Sequence, residues 1–144
     1  MGPKIVKHAS VPVVVLDTNV FISAVLFRGQ TSRLVDLWKN DRVIILLSAE
    51  VLKEYARVLA YPKFKLTRDE IKSVLEEELL PYVATVRIYK VPRVIPEDPS
   101  DDKFLALAKA GKAAYLISGD EHLLRLKTYS KTKIVPPVQF LAHF

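Results

Sequence analysis

The chain has 144 residues, 50% hydrophobic and 26% charged, a size and balance suited to one domain with a single core. It has no cysteine, which excludes disulfides, thiolate catalysis and cysteine-based zinc sites, and its three histidines (His8, His122 and His143) show no paired ligand spacing. The net charge of +6 is uneven: from Lys103 onward seven Lys or Arg residues face only Asp120 and Glu121, so this segment carries +5 of it, a balance that attracts polyanions through counterion release.

Residues 1–10 read as a flexible leader, and 11–144 as a single domain. The β-branched run at 11–16 predicts a buried strand ending at Asp17, and 18–27 has a helical pattern with Gly29 as its stop. A second short helix is expected at 31–39 and another strand at 43–47. Ser48 then caps a helix reaching about Ala60, before Pro62. Ile71, Val74, Leu75, Leu79 and Tyr82 form the stripe of a helix over 67–83. A strand is expected at 86–91, followed by a loop marked by Pro92 and Pro96. Asp98, before Pro99, reads as an N-cap with proline in the first turn. A helix over 101–111, a strand over 114–118 and a short helix over 121–126 follow. Ile134 and Val135 suggest a last strand, with a terminal helical turn from Pro137. Strands that are unbroken apolar runs alternating with helices predict an α/β layer fold with a parallel sheet. No apolar run approaches a bilayer span and no signal pattern opens the chain, so a cytoplasmic, membrane-free protein is expected. Amide side chains are confined to Asn19, Gln30, Asn40 and Gln139, and this scarcity beside a single Met hints at a thermophilic source.

In open parallel sheets ligands bind beyond the carboxyl ends of the strands, and Asp17 and Asp120 stand at two such ends. Each alone could simply cap the helix that follows. Two acids on one edge of the sheet point instead to a shared site. In the helix after Ser48, Glu54 lies about 40° from Val58, at the margin of the apolar stripe, at about 100° per residue. A solvated ion pair is the plainer reading of Glu54. Asp101 shares a face with Phe104, Leu105 and Ala108, whereas Asp102 points away from it, near Lys109. Asp17, Glu54, Asp101 and Asp120 brought together would repel one another and raise their own pKa values. A divalent cation resolves that conflict, and oxygen-only ligands favour Mg²⁺ or Mn²⁺. Such an ion can activate water and stabilise charge on a phosphoryl oxygen, so no other nucleophile is required.

The stretches VVVLDTNVFIS, LLSAEVLKEYARVLAYPKF, DPSDDKFLALAKAGKAAYLISGDEHLL and KIVPPVQFL resemble the PIN-domain ribonucleases, in that family's order and over nearly the whole chain after the leader. The likeness is greatest to the VapC-like branch, the toxins of toxin–antitoxin pairs. It implies a three-layer α/β/α fold with a central, mostly parallel sheet, and an Mg²⁺- or Mn²⁺-dependent endoribonuclease cutting single-stranded RNA to leave 5′-phosphate and 3′-hydroxyl ends. Carried over by motif, Asp17, Glu54, Asp101 and Asp120 would be the catalytic and metal-holding acids, with Asp102 the alternative to Asp101. Asp120 could meet the metal directly or through water. Glu54 or Asp101 could accept the proton of the attacking water. Asn19 and Ser118, where the family often has Thr, would support the carboxylates by hydrogen bonds. An antitoxin and a second copy of the chain are the implied protein partners, with the stripes of the 31–39 and 67–83 helices as candidate contact faces. Those stripes could equally pack on the chain's own sheet. Arg28, Arg33, Lys63, Lys65, Arg125 and Lys127 lie in or near loops and could hold an RNA backbone or be ordinary surface charge.

Three rival readings fit the sequence less well. An inactive relative that binds RNA or protein without cutting is compatible with the fold but leaves the full acid set unexplained. A phospho-receiver needs further acids near its first strand and a lysine just after a later one, and neither is present. A flap-type DNA nuclease needs a helical arch for which this chain has no room.

Overall fold

A computed structural model describes residues 11–89, 91, 93–95 and 99–144, with Pro99 as backbone only. The expected leader and the N-cap assigned to Asp98 lie outside these residues. Six strands form one sheet in the order β3-β2-β1-β4-β6-β5. They are β1 (Val13–Leu16), β2 (Ile44–Leu47), β3 (Val83–Thr85), β4 (Tyr115–Ile117), β5 (Thr128–Tyr129) and β6 (Thr132–Val135). All neighbours pair in parallel except β5, which runs antiparallel to β6. Helices α1 (Thr18–Leu26), α2 (Arg33–Lys39), α3 (Ala49–Leu59), α4 (Arg68–Ser73), α5 (Asp102–Ala110), α6 (Glu121–Leu124) and α7 (Pro137–Leu141) flank this sheet, giving the three-layer α/β/α arrangement expected.

The central strands are apolar because both faces are covered. Val14, Val15, Leu16, Leu116 and Ile117 have no measurable exposure. Phe21 of α1 stacks on Tyr55 of α3, with ring centroids 4.1 Å apart and planes within 10°. The apolar faces of α2 and of the long helical segment after Thr67 are largely used within the chain. Leu34 and Trp38 are buried in the core, and the Trp38 indole N–H donates to the Glu78 carbonyl at 2.8 Å.

The helix expected over 67–83 is present but not uniform. Thr67 and Glu70 form a reciprocal capping box at the start of α4, which then widens into a π-helical turn (Val74–Leu79) and closes in a 3-10 turn (Leu80–Tyr82). The strand expected at 86–91 is displaced: β3 occupies Val83–Thr85, where it pairs with Ile45–Leu47 of β2. Pro81 ends the helical segment, and the ladder needs extended chain immediately beside β2. Val86 contributes one further bond, from its N–H to the Leu47 carbonyl at 2.8 Å. The two-residue β5 was not expected. It exists because a tight turn, with Ser130 at φ 56°, folds Tyr129 back onto Thr132.

The strand order positions the site. From β1 the sheet grows one way through β2 and β3 and the other way through β4 and β6. The chain therefore diverges at the carboxyl ends of β1 and β4, the place where parallel α/β sheets open a crevice.

Candidate active site

Asp17 follows the last residue of β1, and its N–H continues the ladder by donating to the Ile117 carbonyl of β4 at 3.1 Å. The residue is 5% exposed. One oxygen, Oδ1, accepts from the Val20 N–H at 2.9 Å and caps α1, while Oδ2 accepts from the Ser118 hydroxyl. Capping and a shared cleft site are thus realised by the same carboxyl group. Ser118, fully buried at the end of β4, also accepts from the Asp120 N–H at 2.9 Å. Asp120 in turn caps α6, accepting from the N–H groups of His122 and Leu123 at 2.7 and 3.4 Å.

These acids line one cleft of ≈ 250 Å³ together with Glu54 and Asp101. Glu54 reaches it from α3, where the Ser48 cap and the buried faces of Val51, Tyr55 and Leu59 fix the helix rotation. It does not stand in water as a solitary surface acid. Oε2 accepts from the Thr18 hydroxyl, and Oε1 is paired with the Lys103 ammonium and lies 3.4 Å from the Arg57 guanidinium. Asp101 ends a 3-10 turn (Pro99–Asp101) that leads into α5, and is buried against the cleft with Phe104. Asp102, the alternative, is also buried, not turned outward. It is absent from the cleft lining, and its Oδ1 accepts from the Ile95 N–H at 3.0 Å, a contact that ties the preceding loop to α5.

Asn19 lines the cleft but is exposed, and the hydroxyl donors to the carboxylates among the described hydrogen bonds are Thr18 and Ser118. Thr18 and Lys103 are the residues that sequence reading missed. Thr18 sits inside the D-T-N motif, and Lys103 directly follows the Asp101–Asp102 pair, so their adjacency to candidate acids was the available signal.

Burial pushes the Asp17 carboxyl up to about 6, and the Asp120 charge adds to the rise, while the Ser118 hydroxyl and the N–H groups of Val20 and Gly119 oppose it. Beneath the acids, the fully buried Tyr55 hydroxyl donates to the Leu16 carbonyl at 2.5 Å. Burial first, then the charges of Asp17 and Glu54, hold the Tyr55 phenol well above its ordinary range, so it stays a neutral donor.

The donor set suits a hard divalent cation: four carboxylates with hydroxyl and amide oxygens beside them, and no sulfur or imidazole among the cleft residues. Among the described residues no three acids are already drawn into ligating geometry. The cleft's only direct counter-charges on Glu54 among the described contacts are Lys103 and Arg57. A buried carboxyl raised by an anionic neighbour is the electrostatic condition that a bound cation relieves. The residues present therefore fit such an ion. Among the described residues no helix is long and apolar enough to cross a membrane.

The family model for the PIN domain matches residues 13–122. The chain is 28% identical over 143 residues to Uncharacterized protein MJ1680 of Methanocaldococcus jannaschii, covering 91% of this chain and 90% of that one. Its fold is similar to the crystal structure of VapBC2 from Rickettsia felis bound to a DNA fragment from their promoter, with TM-score 0.58 and 16% identity over 85% of this chain and 96% of that one. It is also similar to FitAcB from Neisseria gonorrhoeae, with TM-score 0.56 and 18% identity over 87% and 98% of the two chains.

Proposed function

This chain belongs to the PIN domain family, and from that membership we propose that it is a divalent-cation-dependent endoribonuclease acting on single-stranded RNA. The single observation that carries the reading is the convergence of Asp17, Glu54, Asp101 and Asp120 on one cleft at the carboxyl edge of the sheet. Those four side chains would hold Mg²⁺ or Mn²⁺, which when bound supplies a Lewis acid for water and for the phosphoryl oxygen.

The chain's own residues set the geometry. Ser118 locks Asp17 and the Asp120 backbone to each other, and Thr18 holds Glu54 toward them. Tyr55 anchors the carbonyl of Leu16, just before Asp17. Lys103 and Arg57 place positive charge at the cleft, where a phosphodiester would be drawn in. Glu54 or Asp101 would accept the proton of the attacking water.

The likeness in fold to proteins named VapBC2 and FitAcB supports reading the chain as the toxin of a toxin–antitoxin pair. An antitoxin, and a second copy of this chain, would then be its protein partners in the cytoplasm.

The test is cleavage of an end-labelled unstructured RNA with Mg²⁺, Mn²⁺ or EDTA, comparing the parent with Asp17→Asn. Metal-dependent cutting lost in the variant supports the reading. A folded parent that binds RNA yet cuts with neither metal overturns it and leaves an RNA-binding module.

A further inference from the structure

One wall of the acidic cleft is neither acidic nor used by the chemistry above. It is built by the segment after α3, where Tyr61, Lys63 and Phe64 line the same cleft as the carboxylates. The local sequence makes this segment stiff. Pro62 holds Tyr61 in extended backbone at φ −61°, ψ 135°, and a 3-10 turn (Pro62–Phe64) follows. The Tyr61 N–H donates to the Val58 carbonyl at 3.0 Å, and the Phe64 N–H to the Tyr61 carbonyl at 3.0 Å. Lys65, at φ 53°, closes the turn.

Aromatic rings reach the surface here, with Phe64 half-buried against the core beneath them. Tyr61 is 39% exposed, and Phe27, at the end of α1, is 55% exposed. Phe27 meets Phe64 edge to face with centroids 6.2 Å apart, and the Lys63 ammonium lies 5.2 Å from the centre of the Phe64 ring. Rings interleaved with cations beside a cleft form the pattern that grips single-stranded nucleic acid, the rings stacking on bases while the cations follow the backbone. An apolar peptide would also accept the rings. It would not use Lys63 and Arg57, which stand among them at the cleft and complement a polyanion.

We propose that Tyr61 and the neighbouring Phe27–Phe64 pair form a stacking subsite for unpaired bases of the RNA, and that Lys63 holds the adjoining phosphate. The proposal rests on the ribonuclease reading and deepens it. A base inside a duplex has no free face to offer Tyr61, so this wall selects single-stranded substrate.

Binding of a fluorescently labelled ten-nucleotide RNA is measured by anisotropy in EDTA, where no cutting occurs, across a range of salt. Tyr61→Ala should weaken binding about tenfold without changing the salt dependence, since stacking carries no counterion release. Tyr61→Phe keeps the ring and should bind like the parent. Lys63→Ala should lower the slope of log affinity against log salt by about 0.7, the value for one phosphate contact on a single strand. Tyr61, Lys63 and Phe27 are all on the surface, and thermal melting confirms folding of each variant. Parent-like affinity in both Tyr61→Ala and Phe27→Ala overturns the stacking subsite while leaving the ribonuclease reading intact. A parent that neither binds nor cuts RNA overturns the ribonuclease reading itself.

Discussion

The Ser118 hydroxyl joins Asp17 to the start of α6: it donates to Asp17 Oδ2 and accepts the Asp120 N–H. A single buried oxygen thus fixes the separation of two acids that come from strands β1 and β4. Removing it in Ser118→Ala leaves a buried carboxylate short of one donor, which costs about 1–3 kcal/mol. The Asp17 carboxyl should then titrate higher still, because the Ser118 bond is the largest influence holding it down. Ser118→Thr keeps the hydroxyl and should retain stability and cleavage. Urea denaturation at neutral pH, paired with the RNA cleavage rate, checks both. A Ser118→Ala protein as stable and as active as the parent would remove the hydroxyl from the site.

Lys103 and Arg57 supply charge to Glu54 that a metal ion would otherwise supply. Lys103 is the closer and more buried partner, its side chain 22% exposed against 63% for Arg57. A cation entering the cleft meets this fixed positive charge. At about 5 Å and an effective dielectric near 20, the repulsion between a divalent ion and one ammonium is on the order of 7 kcal/mol before salt screening. Lys103→Met should therefore bind Mn²⁺ about tenfold more tightly in the absence of RNA. The same variant should melt at lower temperature in EDTA, where Glu54 has lost its principal partner. Isothermal calorimetry and thermal melting read the two effects separately. Unchanged or weaker metal binding in Lys103→Met would show that the ammonium does not compete for the cleft.

Tyr55 lies under the site with its hydroxyl on the Leu16 carbonyl and its ring on Phe21. Tyr55→Phe preserves the stacking but orphans that buried carbonyl, at a cost of about 1–2 kcal/mol. Because Leu16 immediately precedes Asp17, cleavage should fall along with stability, and a crystal structure of the variant should show longer hydrogen bonds at Asp17. A loss confined to stability would mean that the hydrogen bond supports the fold without aiming the carboxylate.

The central strands and the four acids were legible because both follow one-dimensional rules. Buried parallel strands are apolar runs, and the residue just past a strand end must face the crevice at the sheet edge. Helical angle placed Glu54 at the cleft and separated Asp101 from Asp102, although it did not foresee that Asp102 would be buried on the Ile95 N–H. What could not be read is long-range. Glu54 takes its partners from Thr18, 36 residues earlier, and Lys103, 49 residues later, and no local spacing encodes those meetings. The offset of β3 has the same origin: the pairing partner, Ile45–Leu47, decides where the strand lies, not the β-branched residues at Val86 and Ile88. The hairpin strand β5 is only two residues long, too short for any periodicity to register.

Asp17 also makes the metal-free fold pH-dependent, and the sign follows from its raised pKa. In the unfolded chain the group titrates near 3.8, and in the fold at about 6. Between those values the folded state binds more protons than the unfolded one, so stability rises as pH falls through 6 and levels off near 4. Above pH 6 the charged form is a burden on the fold, on the order of 3 kcal/mol from a shift of about two pKa units. Asp17→Asn removes that burden while keeping an acceptor for the Val20 N–H, and the Ser118 hydroxyl can turn to accept from the new amide. The variant should therefore be more stable than the parent at pH 8 in EDTA and nearly equal to it at pH 4.5. Adding Mg²⁺ at pH 8 should reverse the order, because binding to the folded parent stabilises it by mass action and the variant has lost a ligand. Urea unfolding under the three conditions separates the contributions. A variant less stable than the parent at pH 8 in EDTA would mean that Asp17 serves the fold chiefly as a cap on α1, with its charge already neutralised by its hydrogen-bond donors.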